Sequence, residues 1–140
     1  MVCLGNICRS PLAEGVLKSK LSSTHFHIDS AATASFHIGK SPDHRSIKVA
    51  ADHRIDISHQ KARAFKLEDF NLFDKIYVMD RNNLKIIKQL SETPEQRDKV
   101  SLILENEDLQ DPYYGDESNF KIVFELLNEA CEKIKFDLIN

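Results

Sequence analysis

The sequence is poor in the residues that punctuate or staple a chain. Its 140 residues include three cysteines, four glycines and four prolines. So few Gly and Pro exclude collagen-like, linker and low-complexity readings. An odd cysteine count is wrong for a secreted disulfide framework, and no C-x-x-C pair points to zinc or thioredoxin chemistry. Charge of one sign is also lacking: 19 Lys and Arg against 22 Asp and Glu leave a net charge of −3. No nucleic acid and no anionic membrane surface is therefore expected as a partner, and any bound anion must be held locally. No apolar run approaches the length of a membrane span, and the first residues lack the basic and apolar regions of a secretory signal. A cytoplasmic location is expected.

What is present is an ordinary globular composition, 41% hydrophobic and 29% charged with eight Phe. This length suits a single domain over residues 1–140 with a core of its own. Short apolar runs alternate with stretches of helical period, which predicts an α/β domain built on a parallel sheet. Strands are expected at Met1–Cys3, Phe26–Ala31, Lys75–Met79 and Val100–Leu104, and helices at Pro11–Leu21, about Asp43–His53, about Arg81–Leu90 and from about Ser118 onward. Ser91–Asp98 and Glu105–Gly115 read as loops. Cys131 falls in the series Phe120, Val123, Phe124, Leu127, Ala130, Cys131, Ile134, Leu138, whose three- and four-residue steps mark a buried helix face, so it reads as a core thiol. Ligands gather at the carboxyl ends of strands in such sheets, which directs attention to the residues after Cys3, Met79 and Leu104.

After Cys3 comes Leu4-Gly5-Asn6-Ile7-Cys8-Arg9-Ser10, and then Pro11 opens a helix. Ser10 before Pro11 reads as a helix cap. The loop thus ends on a helix N-terminus, where amides are unpaired and the dipole is positive, and Gly5 and Asn6 permit the backbone turns that curl amides into a nest. That geometry suits a tetrahedral oxyanion. Arg9 adds a planar fork for two of its oxygens. Cys3 would sit beneath the cradle, where dipole and guanidinium both favour thiolate over thiol. A bland alternative, small buried cysteines beside a surface arginine, fits the spacing alone but not its strand-loop-helix setting.

A phosphate ester leaves poorly as an alkoxide or phenolate, so a carboxylic acid is needed beside such a loop. Asp111 in Asp111-Pro112-Tyr113-Tyr114-Gly115 is the candidate, stiffened by Pro112 and following the last strand through a loop. Tyr113 and Tyr114 would wall a slot for a flat leaving group. An acidic surface turn with two packing tyrosines is the competing reading.

CLGNICRSP and DPYYG together resemble the two signatures of the low-molecular-weight protein tyrosine phosphatases. The likeness extends through Asp29–Thr33, His59–Arg63, Asp69–Phe70, Phe73–Asp74, Met79–Asp80 and Asn83. It implies a three-layer domain, a four-stranded parallel sheet with helices on both faces. The implied activity is hydrolysis of phosphotyrosine in proteins or peptides through a phosphocysteine intermediate, without a cofactor, by a monomer or weak dimer. By position, Cys3 is then the nucleophile, Arg9 the phosphate and transition-state ligand, and Asp111 the acid and then base. Leu4, Gly5, Asn6, Ile7, Cys8 and Ser10 shape the phosphate loop, Ser30 and His59 support it, and Phe36, Tyr113 and Tyr114 form the rim. The resemblance also implies that Cys8 can form a protective disulfide with Cys3.

Departures from the family pattern are Phe36, where Trp or Tyr is common, and Arg54, where Gly is common. Only Met1 and Val2 precede Cys3, whereas relatives have several more residues. The first strand reads as truncated, and Met1 as an internal methionine or an artificial boundary. A phosphate-binding module with impaired chemistry is therefore one rival. An arsenate reductase of the thioredoxin-coupled type would need further exchange-competent cysteines, for which Cys131 is poorly placed. Relatives that act on phosphoarginine carry a small polar residue at the place of Ile7 and lack the paired tyrosines. Two other patterns are weak. His37-Ile38-Gly39-Lys40-Ser41 ends like a nucleotide P-loop but has Ala34 at the required first Gly and Pro42 after Ser41. His25 and His27 could share a strand face, yet no third ligand accompanies them, so no metal site is expected.

Overall fold

Four short strands, β1 (Val2–Cys3), β2 (Ala31–Ala32), β3 (Ile76–Val78) and β4 (Val100–Leu102), form one parallel sheet in the order β2-β1-β3-β4 in the computed structural model, which describes residues 1–140. Six helices flank them: α1 (Arg9–Lys20), α2 (His44–Asp52), α3 (Asp69–Leu72), α4 (Arg81–Leu90), α5 (Pro94–Asp98) and α6 (Glu117–Ile139). Side-chain alternation along the strands splits the core in two. Val2, Ile76, Val78, Val100 and Leu102 point to one face and pack with Phe70 of α3 and Ile87 of α4. Cys3, Met79 and Ile103 join the larger cluster built with α1, α2 and α6. Helices thus cover both faces, as expected. No helix is long and apolar enough to cross a membrane.

Helix α1 is buried without a break from Arg9 to Leu17, because sheet, α2 and α6 surround it. Gly15 marks a close approach: a Cβ there would collide with the Ile57 side chain. Cys131 is fully buried in α6, as its helical spacing predicts, whereas Leu138 of the same series is exposed in the last turn of the helix.

The second strand differs from expectation. Residues 26–30 are not a strand, and pairing begins at Ala31, opposite Val2. β1 presents only Val2 and Cys3 to the ladder. Within segment 26–30 the backbone bonds are local or to Met1: Phe26 N–H reaches the Ser22 carbonyl, Ser30 N–H the Asp29 side chain, and the Asp29 carbonyl accepts from the α-amino group of Met1 at 3.0 Å. Burial pushes that amine below its ordinary pKa, against the opposing pull of Glu14 and Asp29. His27 stacks on Phe73. The short β1 is nonetheless bonded on both sides: Ala31 N–H reaches the Met1 carbonyl, Thr33 N–H the Cys3 carbonyl and Met79 N–H the Val2 carbonyl.

Two further expectations are corrected. Ser91–Asp98 is not loop throughout, because Thr93 caps α5 by accepting from Gln96 N–H while Pro94 opens it. Nor does Ser10 cap α1. The helix begins at Arg9 after Cys8, which makes no side-chain cap, and the Ser10 hydroxyl is engaged elsewhere.

Arg54 occupies the left-handed region at φ 63°. It ends α2 in a Schellman motif, with Ile55 N–H bonded to the Ala50 carbonyl and Arg54 N–H to that of Ala51. A Cβ is unfavourable at that backbone angle, so Arg54→Gly is expected to stabilise the fold by about 0.5–1 kcal/mol. The expected gain in Tm is roughly 2–6 °C by calorimetry.

Candidate active site

The strand order reverses at β1, which has β2 on one side and β3 on the other. The loop leaving β1 at this switch point is where an open α/β sheet leaves room for a ligand. Asn6 adopts φ 55° at its turn. This conformation is one that Asn tolerates better than most residues. The amides of Leu4, Gly5, Ile7, Cys8, Arg9 and Ser10 donate to no acceptor in the protein. Unpaired amides converging on a helix N-terminus form an oxyanion cradle.

Hydrogen-bond bookkeeping assigns a direction to the network beneath the loop. The Glu14 carboxylate is an acceptor, so Ser30 Oγ donates to Glu14 Oε1 at 2.6 Å. The Asn6 Nδ2 group gives one hydrogen to Ser30 Oγ at 2.9 Å and the other to Ser10 Oγ at 2.7 Å. Ser10, having accepted from Asn6, is left with its own hydrogen to give to Cys3 Sγ at 3.0 Å. Asn6 N–H also points at Cys3 Sγ, at 3.3 Å. Asn6 Oδ1 is held by the amide of Arg63 at 3.1 Å. Two donors thus face the sulfur and fix its place beneath the loop.

Arg9 is buried and fixed by one end of its fork. Nη1 donates to Asp80 Oδ2 and to the Leu109 carbonyl, both at 2.8 Å. Its remaining nitrogens make no hydrogen bond, and Nη2 lies 3.7 Å from Asp111 Oδ2. Asp80 follows β3 and also caps α4 through Asn83 N–H. Leu109 is tied to the end of β3 by a bond to the Met79 carbonyl. Asp111 Oδ1 accepts from Tyr113 N–H at 3.1 Å, a turn that sets the tyrosines over the loop.

A cleft of about 130 Å³ joins these parts. Its floor is Cys3, Leu4, Gly5, Ile7, Cys8 and Arg9, and its walls are Asp111, Tyr113, Tyr114 and Phe36. Phe36 and Tyr114 are exposed rim residues, at 71% and 94% accessibility. Asn6, Ser10 and Ser30 lie buried behind the floor. His59 does not belong here. Ile57 and Gln60 turn inward, while Ser58 and His59 face solvent, because Gln60 N–H closes a turn on the Ile57 carbonyl. Gln60 takes the inner position and donates to the Pro11 carbonyl at 3.1 Å.

Four participants escape sequence reading. Asp80 was legible in part, as the residue after a strand end and three before Asn83. Glu14 shares a helix face with Ser10, four residues away, a weak signal for a buried acid. Nothing local marks Arg63, whose amide anchors Asn6 and whose guanidinium pairs with Asp29 and Asp69. His37 also lines the cleft.

The family model described as low molecular weight phosphotyrosine protein phosphatase matches residues 1–139. A pig protein of that description is 36% identical over 140 positions, covering 93% of this chain and 88% of its own length. The human one is 37% identical with the same coverage. Among solved structures, a protein tyrosine phosphatase from Entamoeba histolytica with Hepes in its active site superposes with a TM-score of 0.90. It has 33% identity and covers 98% of this chain and 93% of its own. Vibrio vulnificus Wzb in complex with benzylphosphonate gives a TM-score of 0.88 at 30% identity, covering 97% and 94%.

The three thiols are free and differ in setting. Burial pushes the Cys8 thiol far up, and that of Cys131 to about 12, so both stay protonated at neutral pH. Iodoacetamide at pH 7 is expected to alkylate Cys3 in the folded protein and leave Cys8 and Cys131 unmodified, with inorganic phosphate slowing the reaction. Peptide mapping by mass spectrometry reads this out, and preferential labelling of Cys8 would contradict it.

Proposed function

The chain belongs to the low molecular weight phosphotyrosine protein phosphatase family, and from that membership we propose that it hydrolyses phosphotyrosine and small aryl phosphates with Cys3 as nucleophile. The observation that carries this reading is the convergence, in one cleft, of Cys3 Sγ, a loop of unpaired amides, the free side of Arg9 and the Asp111 carboxyl.

In the first step Cys3 Sγ attacks phosphorus and the P–O bond to the aryl group breaks. Asp111, as the acid, gives its proton to the departing phenolic oxygen. In the second, water attacks the phosphocysteine, Asp111 takes a proton from it, and the S–P bond breaks to release inorganic phosphate and the thiolate. Through both steps the loop amides and the Nε and Nη2 side of Arg9 hold the equatorial oxygens, where charge accumulates. Asp80 and the Leu109 carbonyl act before the chemistry, holding the guanidinium so that little reorganisation is left for the transition state.

An aryl leaving group is favoured by the Tyr113 and Tyr114 walls, perpendicular to each other at 5.0 Å, and by apolar Ile7 in the floor. A reductase relay through Cys131 finds no support, since that thiol is buried and bonded toward the Ala13 carbonyl. Nor does the short first strand favour an impaired module: Cys3 is held by ladder bonds and by Ser10.

Cys3→Ser is expected to abolish turnover of p-nitrophenyl phosphate while retaining phosphate binding. Arg9→Lys should also lose most activity, because a point charge cannot replace the fork. Asp111→Asn should slow phenyl phosphate by about 10²–10⁴, and esters of very acidic phenols far less. Equal loss for both ester classes would place Asp111 in a structural role.

A further inference from the structure

Beside the cleft lies a ridge of basic groups that the chemistry above does not use. His37-Ile38-Gly39-Lys40 is a tight turn closed by Lys40 N–H on the His37 carbonyl, with Gly39 at φ 85° in the position where a type II turn needs it. The turn carries His37 at one end and Lys40 at the other, so their Cα atoms are less than about 7 Å apart by the definition of a β-turn. At the His37 end the ring packs on the phosphate loop: its Cδ2 would lie 3.0 Å from a Cβ at Gly5. It also sits tilted against Tyr113 and edge-on to Phe36. At the other end the turn is bonded to a neighbouring segment, Gly39 N–H to the Ala62 carbonyl and Ala62 N–H to that of Lys40. Lys61 is therefore beside Lys40, with its Nζ donating to Ser41 Oγ at 3.0 Å.

Neither Lys40 nor Lys61 has a carboxylate within ion-pair distance, and both are exposed. Four acids of the elements around the cleft are already engaged. Asp43 is held by Arg45, which keeps its carboxyl below the ordinary range, and Glu117 is paired with Lys48. Asp116 caps α6, and Asp111 faces Arg9. In a chain whose charges nearly balance, at a net −3, the two unpaired lysines make this ridge a local attraction for a substrate carrying negative charge.

We propose that the ridge of His37, Lys40 and Lys61 selects phosphotyrosine peptides with acidic side chains adjacent to the phosphotyrosine. The phosphate loop fixes the phosphotyrosine, the aromatic rim brackets its ring, and the chain leaving the ring on the His37 side runs along the two lysines. His37 offers an N–H donor at the junction. This deepens the phosphatase reading and rests on it. Exposed ion pairs are individually weak, so the ridge contributes a preference rather than a requirement.

The test compares p-nitrophenyl phosphate with three phosphotyrosyl peptides that differ only in acidic, neutral or basic flanks. Both kcat/KM of the wild type and peptide Kd with Cys3→Ser are measured. The acidic peptide is expected to exceed the neutral one by about three- to tenfold in kcat/KM and in affinity, with the advantage falling toward unity in 0.5–1 M NaCl, where the Debye length shrinks to a few ångströms. Lys40→Glu with Lys61→Glu should reverse the order of acidic and basic peptides while leaving p-nitrophenyl phosphate turnover unchanged. Equal kinetics and affinity for the three peptides, or a preference that survives the double reversal, would overturn the ridge. If p-nitrophenyl phosphate is not turned over, the phosphatase reading fails, and the Cys3→Ser binding order still decides the ridge.

Discussion

The Asn6 side chain is the constraint on which the site depends. Its oxygen is held by the Arg63 amide, and its nitrogen holds Ser10 and Ser30. Its backbone takes the positive φ that turns the loop's amides inward. A buried amide that satisfies three partners is costly to disturb, because each orphaned group forfeits about 1–3 kcal/mol. The same cost makes the loop rigid. Glu14 fixes one end of this network by turning Ser30 into a donor, while Asn6 Nδ2, which can only donate, leaves the Ser10 hydrogen for the Cys3 sulfur. The Arg63 amide, by holding Asn6 Oδ1, turns Asn6 Nδ2 to the serines and so decides which way the Ser10 hydroxyl beside Cys3 points.

The sheet supplies the second constraint. Cys3, Asp80 and Asp111 arrive from the ends of β1, β3 and β4, and the strand order places these ends side by side. Arg9 ties them together, since one guanidinium nitrogen binds both Asp80, two residues past β3, and the loop after β4. Pinning one edge of the fork leaves the other for an anion. The two cores beneath are separate and unequal, with the larger on the side of α1, so the helix that starts at the phosphate loop is the best-buried one.

Legibility followed locality. The meeting of the loop, Asp111 and the rim in one cleft was readable because Gly5, Asn6, Arg9 and Pro11 each have a local conformational or chemical meaning, and because Asp111 sits in a short turn. The sheet and the long α6 were readable from period. What was not readable depended on partners far along the chain. Segment 26–30 has strand-like residues, yet extended backbone becomes a strand only where a neighbour exists, and β1 offers two residues. Ser10 before Pro11 looks like a cap, but Asn6 and Cys3 compete for its hydroxyl and win. His59 and Gln60 differ by one position in a turn, and that position decides which one faces the protein. Arg63 lies 57 residues from Asn6 along the chain.

The dependence of the anion cradle on Asn6 is tested by calorimetric titration of Asn6→Ala with inorganic phosphate, at a temperature where circular dichroism shows the variant folded. Loss of the side chain should release the loop's amides from their inward arrangement. Phosphate affinity is then expected to fall by about tenfold or more, equivalent to roughly 1.4 kcal/mol. Wild-type affinity in a folded Asn6→Ala protein would contradict it, and would mean that the cradle is held by the sheet and helix α1 alone.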